Sequence, residues 1–508
     1  MVTRVSTMAL YGLDGFEVTV ECNSEQGIPE ITVIGLPDAS VKESVDRIRS
    51  AAENNKLKVF RNRITVNLAP ADKKKTGAYF DLPILLSMLK HQDSLKELDT
   101  DDACFIGELS LTGELRSIEG ALAMCLTAKR VGKKRIFLPL QNVGEASVVE
   151  GIEIYGMRSL GELLKHLKGE EIKLPTSSEK VSPDSIHPEV DFADIKGQEM
   201  AKRALEIAAV GSHNVLLIGP PGAGKSMLSK ALAGILPDMT LEEMIETTNI
   251  HSISGMLPEG KNLITGRPVR SPHHTVSNIG MIGGGVTPHP GEVTLAHNGV
   301  LFLDEFPEFD KKTLEVLRQP VEDGRITVTR TGYKLTYPSR FMLVAAMNPC
   351  PCGYFGSTQR LCTCTEGQVH RYVSKISGPL LDRIDIQIEV PAISYDEMSN
   401  PERAESSAEV KARVNEARAF RRQRIEKLGI PYGSADADKK ENCALSPEAE
   451  EVLKRAFETL SLSARGFMRT VSVARTIADL DKSESVMPVH VYEAIRLRQL
   501  DRKYFSNT

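Results

Sequence analysis

At 508 residues, with 41% hydrophobic, 26% charged and 5% aromatic residues, the chain has the make-up of a globular protein of two to four domains, which excludes a disordered or fibrous one. A formal charge of -5 is too small at this length to draw nucleic acid through a field over the whole molecule, so any such contact must come from local basic surfaces. No run approaches the roughly 18 to 20 apolar residues of a membrane span. Met1 to Phe16 lacks the apolar heart of a secretory leader. A cytoplasmic location is therefore expected, with the eight cysteines acting as thiols or metal ligands rather than disulfides.

The first block, residues 1–168, mixes β-type runs at Glu17 to Val20, Ile31 to Ile34, Arg63 to Leu68 and Arg135 to Leu138 with helical patterns at Ser40 to Asn54 and Gly120 to Val131. It reads as a self-contained α+β domain. Lys73, Lys74 and Lys75 form a run whose default reading is a solvated surface. Residues 169–191 carry Pro175, Ser177, Ser178, Ser182, Pro183, Ser185 and Pro188 without apolar periodicity, as a connector would.

From residue 192 to 394 the pattern alternates. Strands are predicted at Asn214 to Ile218, Val300 to Leu303, Phe341 to Ala346 and Asp385 to Val390, with helices at Lys225 to Ile235 and Lys311 to Glu322. The implied fold class is α/β with a largely parallel sheet. Residues 395–508 look all-helical, near Ala408 to Leu428, Pro447 to Leu460, Ala464 to Leu480 and Val489 to Gln499.

Gly219-Pro220-Pro221-Gly222-Ala223-Gly224-Lys225-Ser226 fits the G-x-x-x-x-G-K-[ST] phosphate loop and lies directly between an apolar strand and a helix, where that motif belongs. The glycines let backbone N–H groups curl around phosphate, Lys225 can reach the β- and γ-phosphates, and Ser226 can ligate Mg²⁺. The run Val300 to Leu303 ends in Asp304 and Glu305. Asp304 suits the Mg²⁺ shell, and Glu305 can polarise an attacking water, which points to ATP hydrolysis rather than a kinase. Asn348, at the end of another strand, is placed to sense the γ-phosphate; its bland alternative is a turn residue before Pro349. Arg383 is suited to project as a finger towards a neighbouring subunit's nucleotide, and its alternative is a salt bridge with Asp382 or Asp385. Cys350, Cys352, Cys362 and Cys364, paired on either side of residues 353–361, could complete an S₄ zinc site. A metal-free reduced loop, or His370 replacing one thiol, are the other possibilities. His273 and His274 are expected to contact nucleic acid or pack locally. The helix carrying Arg418, Arg421, Arg422, Arg424 and Lys427 offers a basic face whose default reading is a solvated surface, and Arg330, Lys334 and Arg340 form a second basic cluster better suited to phosphate contacts.

On these residues the chain resembles AAA+ ATPases of the magnesium-chelatase I group, most closely the ComM/YifB branch. The long stretch between Lys225 and Asp304, with Ile250 to Glu292 rich in Gly, Pro and His, resembles that group's helix-2 insert. Arg325 to Arg340 resembles a hairpin that replicative relatives direct at DNA. The final block resembles a lid whose second sensor arginine maps to Arg465, with Arg469 as the competing choice. Ile118 to Gly120 and Thr76 to Asp81 resemble the Lon-protease fold, but the nucleophile and base positions fall on Tyr79 and Leu122, which cannot form a Ser/Lys dyad. The resemblance implies a hexameric ATPase using ATP and Mg²⁺ that moves on or remodels single-stranded, double-stranded or branched DNA, as a branch-migration helicase in natural transformation. A chelatase-type motor acting on protein partners is the rival reading.

Overall fold

The computed structural model describes the chain except residues 1, 58, 60–61, 93–94, 96–99, 177–188, 259–260, 286–287, 331–332, 358–359, 400–403, 432–434, 461, 499, 501–503 and 505–508. Most of the expected linker 169–191 thus lies outside the described residues. The chain divides into two compact units. One comprises Met1–Pro183 with Leu241–Ile264, the other Asp184–Thr240 with Thr265–Thr508.

The first unit is α+β. Thr3–Tyr11 and Asp14–Glu25 form an antiparallel hairpin in register from Thr3↔Cys22 to Tyr11↔Asp14. Arg63–Ala69 pairs antiparallel with its second strand, and Glu30–Ile34 runs parallel along the outer edge. A second sheet of three parallel strands is made by Ala103–Phe105, Arg135–Pro139 and Glu153–Met157. Helices Ala39–Asn54, Asp81–His91 and Ala121–Arg130 supply much of the core. Tyr79 and Leu122 are both buried in it, and the Tyr79 hydroxyl accepts the Leu10 N–H at 3.4 Å. The lysine run is less solvated than its composition implies: Lys75 is fully buried with its ammonium on the Pro70 carbonyl, and Lys73 lies 4.6 Å from the centre of the Phe16 ring.

The expected helix-2 insert, Ile250 to Glu292, is divided between the units. Helix Leu241–Ile253 and the residues to Ile264 group with the first unit. There Ser252 Oγ accepts the Gly120 N–H at 3.0 Å and donates to the buried carboxylate of Glu145, while Asn249 Nδ2 donates to the Leu13 carbonyl at 3.1 Å. Glu145 also accepts from Asn142 Nδ2 at 2.8 Å. Burial pushes its carboxyl above the usual carboxylate range, against the Ser252 and Asn142 hydrogen bonds.

The second unit is built on a five-stranded parallel sheet: β1 Val215–Ile218, β2 Val269–Arg270, β3 Val300–Leu303, β4 Met342–Met347 and β5 Ile386–Glu389, in the order β2-β3-β4-β1-β5. Strands β1, β3 and β4 are buried at every position, as expected for a parallel sheet covered on both faces. The helix expected at Lys311 to Glu322 is two pieces, Lys311–Val316 and Arg318–Asp323. Pro320 lies in the second and has no N–H to continue a single ladder. The final block is helical at Ser407–Lys427, Pro447–Leu460, Ala464–Leu480 and Pro488–Arg496, and these helices share one apolar core with the sheet. Among the described residues no helix is long and apolar enough to cross a membrane.

Candidate functional site

The phosphate loop follows the carboxyl end of β1 and runs into helix Lys225–Ile235. Gly224, the residue before that helix, has φ +90°, a conformation a side chain disfavours. The Lys225 ammonium, 8% exposed, donates to the Gly219 carbonyl at 2.7 Å, the Pro220 carbonyl at 2.9 Å and Asn348 Oδ1 at 3.1 Å. Burial pushes it down to about 8, with Asp304 acting in the opposite sense. This ammonium is therefore held by neutral oxygens that phosphate, an anion, would outcompete.

Because β4 lies between β1 and β3, the loop, Asn348 and the acid pair meet at one edge of the sheet. Ser226 Oγ donates to Asp304 Oδ2 at 2.8 Å, and the other oxygen of Asp304 accepts the Glu305 N–H at 2.9 Å. Glu305 has φ +51°, an uncommon left-handed conformation for a residue with a side chain. His274 Nδ1 is 3.3 Å from Glu305 Oε2, and the His274 ring packs at 4.1 Å on His273 and edge-on to Phe309. The sequence reading singled out His274 without connecting it to Glu305; the link depends on β2 and β3 being neighbours, and β2 is only two residues long.

Four thiols follow Asn348 in the chain, beginning at Cys350. The Sγ atoms of Cys350, Cys352 and Cys362 are 3.4, 3.5 and 3.7 Å apart, and all four sulfurs, Cys364 included, lie within 4.8 Å of one another. Four sulfurs around zinc at about 2.3 Å would have edges of about 3.8 Å. Backbone N–H groups of Phe355, Cys364 and Cys352 point at the sulfurs of Cys350, Cys362 and Cys364, as suits thiolates. His370 is not in this group. The cysteine loop also abuts the phosphate loop: a Cβ on Gly353 would sit 2.5 Å from Pro221 Cδ.

Arg383 and Arg465 are elsewhere. The Arg383 carbonyl accepts from Asn214 Nδ2 at 3.0 Å, and Asn214 immediately precedes β1. Arg383 therefore sits at the amino edge of the sheet, one strand length, about 13 Å for four residues, from the edge that bears this chain's own phosphate loop. Its side chain is 9% exposed and pairs with Glu322. Neither Asp382 nor Asp385, the alternatives read from sequence, is that partner. Arg465 Nη2 lies 3.4 Å from the same carboxylate, and Arg469 Nη1 lies 2.9 Å from Asp385 Oδ1. Arg465 thus shares a carboxylate with Arg383, whereas Arg469 pairs with the acid two residues beyond it.

Of the basic surfaces, the hairpin Arg325–Arg330 with Tyr333–Pro338 has Ile326, Val328, Leu335 and Tyr337 buried and Lys334 exposed. Its turn, 331–332, is outside the described residues. The helical basic face is tied inward in part: Arg424 pairs with the buried Asp479, Arg421 donates to Thr476 and Arg418 donates to Ser212, while Arg422 and Lys427 are exposed. Arg267 donates to the carbonyls of Pro237 and Asn298, and Arg270 pairs with both oxygens of Glu292 through Nε and Nη2. Of the two expectations for His273 and His274, nucleic-acid contact or local packing, their stacking on each other and against Phe309 agrees with the second.

The sheet order and the convergence of loop lysine, acid pair and the Asn348 amide define an AAA+ ATPase. Family models agree: magnesium chelatase, subunit ChlI matches residues 191–398, subunit ChlI of Mg-chelatase matches 20–142, and magnesium chelatase, subunit ChlI C-terminal matches 404–498. The chain belongs to the ComM/YifB family of magnesium-chelatase-like AAA+ ATPases, being 41% identical over 503 residues, 98% of this chain and 97% of the other, to competence protein ComM of Haemophilus influenzae. It is 42% identical over 501 residues to YifB of Escherichia coli, again 98% and 97% of the two chains. The magnesium-chelatase 38 kDa subunit of Rhodobacter capsulatus is 29% identical over 182 residues, 32% of this chain and 51% of that one.

Proposed function

We propose that the chain is a ring-forming, hexameric AAA+ ATPase that moves along or remodels DNA, extending branched recombination intermediates when foreign DNA is taken up. The observation that carries the ring is the separation of the two halves of the site: the loop, acids and sensor lie at one edge of the sheet, and Arg383 and Arg465 at the other. A chain arranged so completes a site only with a second copy.

In that seam the loop N–H groups hold the phosphates, and Lys225 exchanges its carbonyl partners for phosphate oxygens. Ser226 and Asp304 are the residues that would hold Mg²⁺, which neutralises phosphate charge when bound. Glu305, oriented by His274, takes the proton of the attacking water. Asn348 reads the γ-phosphate. The neighbour's Arg383 and Arg465 meet the charge that develops on it, a contribution worth orders of magnitude in rate. The four cysteines fit zinc, which would brace the loop that packs on Pro221.

The competence setting is drawn from the name of the Haemophilus relative, a competence protein, and the DNA assignment from a hairpin with a buried inner face and an exposed Lys334. A second reading, a motor acting on protein partners, draws on the likeness to the Rhodobacter chelatase subunit. Strand displacement on forked and four-way junction DNA decides between them. Movement of strands with ATP and not with a non-hydrolysable analogue is expected; ATP turnover indifferent to DNA, with no strand moved, would give the second reading instead.

A further inference from the structure

We propose that Glu322 is a positioning residue that stands in for phosphate, holding Arg383 and Arg465 together in the lone chain until the nucleotide of a neighbouring copy displaces it. The inference rests on the reading of the seam given above and deepens it.

The geometry is one carboxylate between two guanidiniums. Glu322 Oε2 contacts Arg383 Nη2, and Oε1 lies 3.4 Å from Arg465 Nη2. The two arginines come from separate segments, one from the turn before β5 and the other from the first turn of helix Ala464–Leu480. Side by side and without an anion they would repel, so a negative group between them is what lets them lie together in the absence of nucleotide. Arg383 is further fixed by donation to the Pro379 carbonyl, but its Nε has no hydrogen-bond partner among the described residues. The nearby Asp385 is engaged by Arg469, which leaves Glu322 as the acid these two share.

A terminal phosphate offers what Glu322 offers, with more charge and a third oxygen, so it would bind the same fork of donors more strongly. Carboxylate and phosphate cannot both occupy the position without facing each other as like charges. Arrival of the neighbour's nucleotide therefore has to move Glu322 aside, and its 37% side-chain exposure leaves it room to go. The cost of that exchange sets how readily a seam forms.

The test uses the full chain and reads ATP turnover against protein concentration. Glu322→Gln keeps the shape and removes the charge. Turnover at dilute protein is expected to rise several-fold, up to about tenfold, because the concentration giving half-maximal rate falls; the advantage should shrink as protein is raised. Glu322→Ala should move in the same direction. In an Arg383→Ala, Arg465→Ala background, the charge-removing substitution should no longer shift ATP-dependent assembly measured by light scattering. Turnover lowered by the same factor at every concentration, or unchanged throughout, would overturn the proposal. Failure of the seam itself is read separately: it appears as absence of complementation between Arg383→Ala and Glu305→Gln chains, whatever Glu322→Gln does.

Discussion

Mixing two inactive chains gives the sharpest check on a shared site. Arg383→Ala removes a guanidinium carried at the amino edge of the sheet, one strand length, about 13 Å of backbone, from the edge that bears its own phosphate loop, and Glu305→Gln removes the carboxylate beside that loop. Each chain alone should bind ATP yet turn over slowly, by roughly 10³-fold or more for a missing trans arginine. In a mixture, a seam is competent when the copy lending the loop is of the first kind and the copy lending the arginine is of the second. With random assembly at equal amounts, about one half times one half, or about a quarter, of seams meet both conditions, and in head-to-tail closed rings this fraction does not depend on the number of copies. Turnover should therefore follow a parabola in mixing ratio, peaking at about a quarter of the parent rate. A steady-state phosphate-release assay across the ratio reads this directly. A straight line joining the two inactive values would refute the reasoning, since it would mean that Arg383 serves its own chain or no nucleotide at all.

Lys225→Ala should abolish binding of a fluorescent ATP analogue; retained affinity and turnover would remove the loop assignment. His274→Ala should leave KM for ATP near its parent value and lower kcat by about tenfold or more, because Glu305 loses the ring that fixes its carboxylate; an unchanged kcat would show the pair to be incidental. Elemental analysis of protein purified under reducing conditions should find about one zinc per chain. Cys350→Ser should lose it and weaken ATP affinity, since Cys350 lies two residues beyond Asn348 in a loop packed on Pro221; zinc retained at full stoichiometry would count against the site. Ser252→Ala should destabilise the first unit by about 1–3 kcal/mol, the cost of leaving buried groups underpaired, seen as a lower denaturant midpoint; an unshifted midpoint would show that the Gly120–Ser252–Glu145 link carries no stability.

The loop, the acid pair and Asn348 were legible because each sits in sequence at the end of an apolar strand, and parallel strands bring their carboxyl ends together. The helices of the final block were legible from their periodicity. Helix Asp81–His91 was not, because Asp81 to Leu89 are all buried and a helix covered on every side has no apolar stripe to read. Strand Thr3–Tyr11 hid for the same reason: Val5 to Ala9 are buried on both faces, so nothing alternates. The roles of Glu322 and of helix Leu241–Ile253 depend on partners distant in the chain. Glu322 looks like any acid near a helix end, and Ser252 looks like any helical serine, until the fold supplies two arginines for the one and Glu145 for the other.

Placing cradle and arginines on opposite edges of one sheet makes the proposed assembly directional. A row of copies that fails to close would carry, at one end, a copy that grips ATP with nobody to trigger its cleavage, and at the other a pair of guanidiniums with nothing to act on. Such a row wastes one seam, whereas closure wastes none. Only the closed form would spend nucleotide at every copy, and a single defective chain carrying both Lys225→Ala and Arg383→Ala would silence the junctions on either side of itself.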